Sequence, residues 1–149
     1  MTKRAKPDAG LRALITTHLC MINNTPVHHQ PIETALMAAG VPDLNSCWCG
    51  QEWWIECKKT SGWTCPLSEF QVGWALRRIR AGGKVFIATR RCCPGGPRTE
   101  EADELWLHSG RNALVLRTDG LKAAAPLIVT TGGPNNWNWQ RVGRILVTV

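Results

Sequence analysis

Two runs of residues rich in Trp, Ile and Cys lie on either side of Gly50, and they constrain the fold more than any other feature of the chain. The runs cover residues 45–49 and 52–58. Such runs are typical of β-strands, and a glycine between them is typical of a tight turn. Gly50-Gln51 fits a two-residue type II′ turn, in which Gly comes first. The sequence therefore predicts a β-hairpin that closes at Gly50-Gln51.

This turn also predicts which side chains of the hairpin lie together. It pairs Asn45 with Glu56, and Asp43 with Lys58. Because side chains alternate across a strand, all four are expected on one face of the sheet. Directly opposed residues lie within about 5 Å at Cβ, so two carboxylates and one ammonium should converge. A shift in register by one residue would break this arrangement.

A cluster of two carboxylates and a lysine suits metal-assisted hydrolysis of a phosphodiester. Adjacent carboxylates repel each other unless a cation lies between them. Hard oxygen ligands favour Mg²⁺ or Mn²⁺ over zinc, and such an ion can activate water. Lys58 could orient that water or stabilise the charged phosphate. An ordinary surface hairpin with an Asp–Lys pair explains the same residues without a metal, and the residues alone leave both interpretations open.

Four ordered segments of the chain resemble the PD-(D/E)XK nuclease superfamily. They are Gly-Val-Pro-Asp ending at Asp43, Ile-Glu-Cys-Lys ending at Lys58, a helix that contains Gln71, and a strand that follows Gly82-Gly83. The similarity is closest to small phage and bacterial Holliday-junction-resolvase-like and VRR-NUC nucleases. It covers about residues 30–91, and the C-terminal third matches nothing recognisable.

The resemblance implies a fold, an activity and a set of site residues. The fold is α/β, a restriction-endonuclease-like core in which helices flank a central mixed sheet. The activity is metal-dependent cleavage of DNA that leaves a 5′-phosphate. The implied residues are Asp43, Glu56, Lys58 and Gln71 for catalysis, and Asp43, Glu56, the backbone carbonyl of Cys57 and the more speculative Glu33 for Mg²⁺ or Mn²⁺. Glu33 fits a solvated helix glutamate equally well.

Residues 66–80 form the clearest predicted helix. Pro66 suits its start, and Ser68 with Gln71 matches a capping box. Gln71 and Arg78 lie within its apolar arc, seven residues apart. Gln71 could cap the helix, point toward the site, or do both. The following strand, residues 84–89, is expected to run parallel to the strand that ends near Lys58.

The positive charge of the chain suits a polyanionic partner. The net charge is +7, and 12 of the 18 basic residues are Arg, which binds phosphate through a fork of donors. We expect Arg78, Arg90 and Arg91 to contact DNA. A solvated pair of charges explains Arg90 and Arg91 equally well.

Weaker patterns in the sequence predict the remaining helices and strands. The predicted helices are residues 9–22 and 99–107, and the predicted strands are residues 113–117, 125–130 and 141–149. Residues 27–40 fit either a strand over 27–32 or a helix over 32–39. Most of the eight Trp are expected in or near the core. Base stacking is the alternative for exposed ones such as Trp137 or Trp139, which are also candidates for an apolar interface between subunits.

Size and composition predict the number of domains, the location in the cell and the state of the cysteines. At 149 residues we expect a single domain, residues 1–149. No apolar run approaches the ~20 residues of a membrane helix, and no signal core follows the basic start. A cytoplasmic location is therefore expected. The resemblance to phage and bacterial nucleases implies a bacterial cell, with the protein encoded by the bacterium, a phage or a prophage. The seven Cys do not follow zinc-ribbon spacing and should be free thiols.

The sequence as a whole favours a Mg²⁺-dependent endodeoxyribonuclease without an organic cofactor. Its substrate could be branched DNA such as a Holliday junction, in keeping with a role in DNA recombination, or a specific site as in restriction and homing enzymes. A homodimer is expected, since each site cuts one strand. A non-catalytic DNA-binding protein of the same fold and a zinc-dependent regulatory module are the competing classes.

Overall fold

The computed structural model describes residues 9–33, 39–92 and 102–149. The four α-helices of these segments are α1 (Ala9–His18), α2 (Glu69–Arg80), α3 (Ala113–Asp119) and α4 (Trp139–Thr148). The eight strands are β1 (Met21–Ile22), β2 (Thr25–Pro26), β3 (His28–Pro31), β4 (Leu44–Trp48), β5 (Gln51–Thr60), β6 (Val85–Arg91), β7 (Glu104–Ser109) and β8 (Ile128–Thr130). Short 3₁₀ turns cover Gly110–Asn112 and Leu121–Ala123.

Six strands form one mixed sheet in the order β3-β4-β5-β6-β7-β8. Strands β5 and β6 are parallel and are joined through α2, while every other neighbouring pair is antiparallel. The parallel pairing of the strands on either side of α2 is as predicted. The prediction of an α/β fold with a central mixed sheet and flanking helices is confirmed.

Apolar side chains bury both faces of this sheet. Residues of α1 and α4 pack on one face with Ile55 and Cys57 of β5. Residues of α2 and α3 pack on the other face with Val85 and Ile87 of β6. The sheet is therefore the middle of three layers, and polar groups on it can be buried only where they find partners.

The predicted hairpin exists, but its turn lies one residue earlier than predicted. Strands β4 and β5 are joined by Cys49-Gly50, and Asn45 pairs with Trp54 rather than with Glu56. Cys49 and Gly50 have φ values of 47° and 78°, which fit a type I′ turn rather than type II′. The register is shifted by two residues. Because the side-chain period of a strand is two, the predicted face is kept.

Helix α2 begins later than predicted. It covers Glu69–Arg80 rather than residues 66–80, and the predicted capping box of Ser68 and Gln71 is present in both directions. The Ser68 hydroxyl accepts from the backbone N–H of Gln71 at 3.2 Å. The capping box therefore identified the N-cap correctly, whereas Pro66 precedes that residue by two positions.

Outside the hairpin, α2 and β6, most predicted elements have the wrong type or the wrong bounds. The helix predicted over 9–22 ends at His18, and residues 21–22 form β1. Strands were predicted over residues 113–117 and 141–149, but residues 113–117 belong to α3 and residues 141–148 to α4. Residues 104–109 form β7, not the end of a helix; residues 93–101 lie outside the described segments. In residues 27–40, strand β3 supports the strand predicted over 27–32. Residues 34–38, most of the alternative helix, lie outside the described segments.

The structure decides between the alternatives for two tryptophans in favour of the core. Trp137 and Trp139 are only 3% and 9% exposed, and both belong to the core beneath α4. The indole of Trp137 donates to the carbonyl of Asp103 at 2.9 Å. These residues therefore stabilise the fold and do not offer a stacking surface.

Within the described residues, no helix has the length and apolar character needed to cross a membrane. The cysteines there, Cys20, Cys47, Cys49, Cys57, Cys65 and Cys92, are free thiols, as predicted.

Candidate active site

Strand β5 presents Glu56 and Lys58 on the face of the sheet that α2 covers. The two residues are two positions apart, so they share that face. The Lys58 ammonium lies 3.0 Å from Oε1 of Glu56, and the two side chains are 11% and 5% exposed. A buried ion pair of this kind loses its hydration, and its cost is offset only by close contacts with other polar groups.

Gln71 in the first turn of α2 provides such a contact. Its Nε2 donates to Oε1 of Glu56 at 2.6 Å, while its own Oε1 accepts from the backbone N–H of Ser68 at 2.9 Å. Gln71 thus both caps the helix and reaches the carboxylate of β5. The two roles considered for Gln71 from the sequence occur together.

Asp43 lies beside this group, just before β4. Continuing the β4–β5 register by one step places Asp43 opposite Glu56. Oδ2 of Asp43 accepts from the backbone N–H of Cys57 at 2.9 Å, and the residue is only 7% exposed. This bond fixes the Asp43 carboxylate against the backbone between Glu56 and Lys58.

Gly40 holds the loop before Asp43 against α2. Its φ of +88° lies in the region that favours glycine. A Cβ at this position would overlap the carbonyl oxygen of Phe70. The close approach of Gly40 to the first turn of α2 brings the segments that carry Asp43 and Gln71 together. Glycine is therefore required at position 40 for both its conformation and its size.

The ligand atoms at this site fit a hard divalent cation. Asp43 and Glu56 supply carboxylates, and the backbone carbonyl of Cys57 lies between Glu56 and Lys58 in sequence. In the described segments no group of three or more His, Cys, Asp and Glu side chains has metal-binding geometry. Mg²⁺ is usually bound by one or two carboxylates together with waters and substrate phosphates, so a two-carboxylate site suits it.

The structure places Glu33 in a different environment. Its carboxylate pairs with Arg12 of α1 at 3.0 Å, and its side chain is 81% exposed. Helix α1 packs on the face of the sheet opposite to α2. The role of Glu33 as a metal ligand stays a prediction.

The three arginines predicted to contact DNA differ in exposure. Arg78 is exposed on α2, with its guanidinium 5.3 Å from the ring centre of Trp54. Arg90 is buried and binds both carboxylate oxygens of Asp103, at 2.9 and 2.6 Å. Their contacts with DNA stay a prediction, and the surroundings of Arg90 also give it a structural role.

Arg91, the third of these arginines, is also buried. Its guanidinium donates to the carbonyl of Gly62 at 2.8 Å and to the carboxylate of Glu104 at 3.2 Å. These bonds tie the end of β6 to the loop that follows β5. Whether Arg91 contacts DNA likewise stays a prediction.

Two residues of the site were not predicted from the sequence. Thr89 pairs with Lys58 across the parallel strands, and its hydroxyl lies 3.6 Å from the Cys65 thiol. Burial raises the pKa of Cys65; the Thr89 hydrogen bond and the charge of Lys58 oppose the rise, and Glu56 adds to it. The Cys65 thiol is therefore close enough to Lys58 and Glu56 for both charges to affect its pKa. The β5–β6 register is the signal that could have identified Thr89.

The C-terminal third, unassigned from the sequence, supports the loop between β5 and α2. The backbone N–H of Leu121 donates to the carbonyl of Trp63 at 2.8 Å. The Arg117 guanidinium donates to the carbonyl of Leu67 at 3.1 Å. This loop, residues 61–67, is called the site loop below, since it contains Cys65.

Comparison of the chain with protein-family models and with curated proteins found no match. The functional argument therefore depends on the chemistry and geometry of the site.

Proposed function

We propose that the protein is a metal-dependent endodeoxyribonuclease with a restriction-endonuclease-like core of the PD-(D/E)XK type. The observation that supports this most is the convergence of Asp43, Glu56 and Gln71 from three separate segments of the chain. Contacts of 2.6 to 3.0 Å join Glu56 to Gln71 and Lys58, and join Asp43 to the backbone beside them. The resemblance in sequence names the same residues independently.

The two carboxylates and the Cys57 carbonyl would hold Mg²⁺ or Mn²⁺. A divalent ion bound there supplies an activated water and neutralises charge on the phosphate. Lys58 is the residue positioned to orient the attacking water or to donate to a phosphate oxygen. Gln71 holds Glu56 in place, since its Nε2 donates to the carboxylate oxygen that Lys58 also contacts.

Hydrolysis explains this arrangement better than DNA binding alone. Two buried acidic residues opposite each other repel one another and repel phosphate, so they weaken the binding of DNA unless a cation lies between them. The net charge of +7 supplies attraction for DNA elsewhere on the surface. Among DNA substrates, we propose branched forms such as four-way junctions, with specific-site cleavage as the alternative.

The test is cleavage of labelled linear, forked and four-way DNA with Mg²⁺, Mn²⁺ or EDTA. Wild-type protein should cut only with metal. We expect Asp43→Asn, Glu56→Gln and Lys58→Ala each to abolish cleavage while leaving the circular dichroism spectrum unchanged, because each removes one group that positions metal or water. Loss of cleavage by about a hundred- to a thousandfold is expected, as for preorganised catalytic groups.

Two matched controls lie on the same strand. Glu52→Gln and Lys59→Ala remove exposed charges from β5 without touching the site, and both variants should cut like the wild type. Wild-type rates for both Asp43→Asn and Glu56→Gln would exclude the proposed site. Wild-type protein that binds DNA but cuts nothing with either metal would identify the non-catalytic class instead.

A further inference from the structure

Trp63 in the site loop is an exposed aromatic residue held between two cations. Its side chain is 40% exposed. The guanidinium carbon of Arg91 and the ammonium of Lys122 each lie 3.6 Å from the centre of its ring. This is about van der Waals contact, so both cations lie close to the ring normal. Two like charges cannot share that position, so they cover opposite faces of the indole.

The two cations differ in mobility. Arg91 is buried and is held by the carbonyl of Gly62 and by Glu104. Lys122 lies in the 3₁₀ turn after α3 and is exposed. One face of Trp63 is thus sealed by the protein, while the other is covered only by a flexible side chain that solvent reaches.

The backbone of Trp63 is fixed before any ligand arrives. Its carbonyl accepts from the backbone N–H of Leu121 at 2.8 Å. Gly120 approaches so closely that a Cβ there would overlap the same carbonyl oxygen. Trp106 contacts the indole edge-on, with ring centres 5.8 Å apart. An exposed aromatic ring with a fixed backbone pays little entropy when a flat ligand stacks on it.

Trp63 also borders the candidate active site. Two positions after it, Cys65 lies buried within electrostatic reach of Lys58 and Glu56. Arg91, on its inner face, pairs with Thr60, two residues beyond Lys58 on β5. The indole therefore lies at the end of the strand that presents the carboxylate and the lysine.

From this geometry we propose that Trp63 stacks with an unpaired base of the DNA strand that enters the site, and that Lys122 leaves the ring to contact a phosphate. This inference rests on the proposed nuclease function and narrows its substrate, among branched DNA, to forms with unpaired nucleotides beside the cut, such as forks with single-stranded arms, in preference to fully paired four-way junctions. Base–aromatic stacking is stronger than a cation–π contact at an exposed position, so a base displaces Lys122. In an intact duplex both faces of a base are already stacked.

Binding measured without cleavage tests the proposal. Fluorescein-labelled forked DNA with single-stranded arms is compared with a duplex of matched length, in EDTA and in the Glu56→Gln background. Trp63→Leu should weaken binding of the fork about tenfold and binding of the duplex less than twofold. Trp63→Phe should keep most of the fork affinity. Leu114→Ala, which trims an exposed apolar residue of α3, is the matched control and should change neither.

A second measurement detects stacking directly. 2-Aminopurine is placed at each unpaired position beside the branch point, and its fluorescence should be quenched by the wild-type ring but not by Trp63→Leu. Lys122→Ala should instead reduce the salt slope by about 0.7, the value for one phosphate contact on a single strand. Equal quenching by the wild type and by Trp63→Leu would overturn the proposal, as would equal losses on fork and duplex.

Different results would reject the nuclease function and the Trp63 stacking site. Normal metal-dependent cleavage with no Trp63-dependent quenching would reject the stacking site and keep the nuclease. Trp63-dependent quenching in a protein that cuts no DNA would reject the nuclease and keep the stacking site. Thermal melting of Trp63→Leu and Trp63→Phe confirms that both variants are folded.

Discussion

Gln71 connects the start of a helix to the chemistry of the site. One end of its amide accepts from the backbone of Ser68, and the other donates to Glu56. Because the capping geometry fixes the first end, the second end is aimed without further support. The amide cannot rotate without losing one of these bonds, so Gln71 also fixes the position of Glu56.

Comparing variants of the two cap residues separates these roles. Ser68→Ala should lower the free energy of unfolding by about 1 kcal/mol, because it removes the cap, and should leave cleavage nearly unchanged. Gln71→Ala should cost a similar free energy and also lower the cleavage rate at least tenfold, since the hydrogen bond to a charged group is lost. Urea unfolding and single-turnover cleavage measure the two effects. Equal cleavage by the two variants would remove Gln71 from the site.

Arg90 and Arg91 show that the sequence around a residue does not reveal its partners on a neighbouring strand. Adjacent residues of a strand point to opposite faces, so the two guanidinium groups lie on different sides of the sheet. Arg90 binds Asp103 on one side, and Arg91 binds Glu104 and stacks on Trp63 on the other. The acidic partners precede or begin the next strand of the sheet. No local pattern could have identified them before the pairing of β6 with β7 was known.

The turn of the hairpin gives a prediction at the scale of one element. Cys49 has a positive φ without being glycine, whereas type I′ turns favour Asn-Gly. Cys49→Asn should therefore raise the free energy of unfolding by about 0.5–1 kcal/mol, or the melting temperature by roughly 1–4 °C. Gly50→Ala should lower it by about 1 kcal/mol, because the added methyl meets no atom within 4 Å and only the backbone is strained. A destabilised Cys49→Asn protein would contradict this account of the turn.

The same hairpin shows why the shared face of the candidate site residues was predictable although the register of the strands was not. The turn residues were assigned one position too late, which shifted the pairing by two residues. An even shift returns every side chain to the same face, so Asp43, Glu56 and Lys58 still share one. The face was encoded in the alternation along the strands, whereas the register depends on a backbone conformation that Cys49 does not signal.

The prediction for the C-terminal elements was wrong for a different reason. The β-branched residues of residues 141–149 suggested a strand. The buried residues of α4 nevertheless include Trp139, Val142 and Leu146, at the spacing of a helix, and the Asn138 side chain accepts from the backbone N–H of Arg141 at its start. The helical period was present in the sequence and outweighs β propensity, because the face against the core decides which structure forms.

At the scale of the whole molecule, two buried histidines predict acid sensitivity. Burial lowers the pKa of His29 and of His108 below the ordinary value of 6.5. The unfolded chain therefore takes up protons that the folded chain does not, once the pH falls below about 6.5. Stability from these residues is constant above that pH and is lost as the pH drops toward their folded pKa values. Each contributes at most about 1.4 kcal/mol per pH unit.

Urea unfolding between pH 8 and pH 5.5 checks this expectation. The His29 ring bridges the Ser46 hydroxyl and the Leu19 carbonyl, at 2.7 and 2.9 Å, so the neutral ring can accept from one and donate to the other. A His29→Gln, His108→Gln double variant is less stable at neutral pH but should show a flatter dependence on pH. An unchanged slope in that variant would assign the acid sensitivity to other groups.

Assembly gives the last prediction. One site of the proposed kind cuts one strand, and two antiparallel strands match the symmetry of a two-fold dimer. We therefore expect a homodimer, measured by light scattering at micromolar concentration with and without DNA. The interface must lie away from Trp137 and Trp139, since both are core residues. A strict monomer that makes paired cuts in one binding event would exclude this arrangement.

The support of the site loop by α3 has a consequence for synthesis. The hydrogen bond from Arg117 to Leu67 joins residues 50 positions apart in the chain. Chains leave the ribosome from the N-terminus, so Asp43, Glu56 and Lys58 emerge well before the segment that holds their neighbouring loop. A nascent chain that ends before Arg117 carries every catalytic group of the proposed site but not its support. The loop beside the proposed site therefore gains this support only late in translation, after the groups of the site itself have been made.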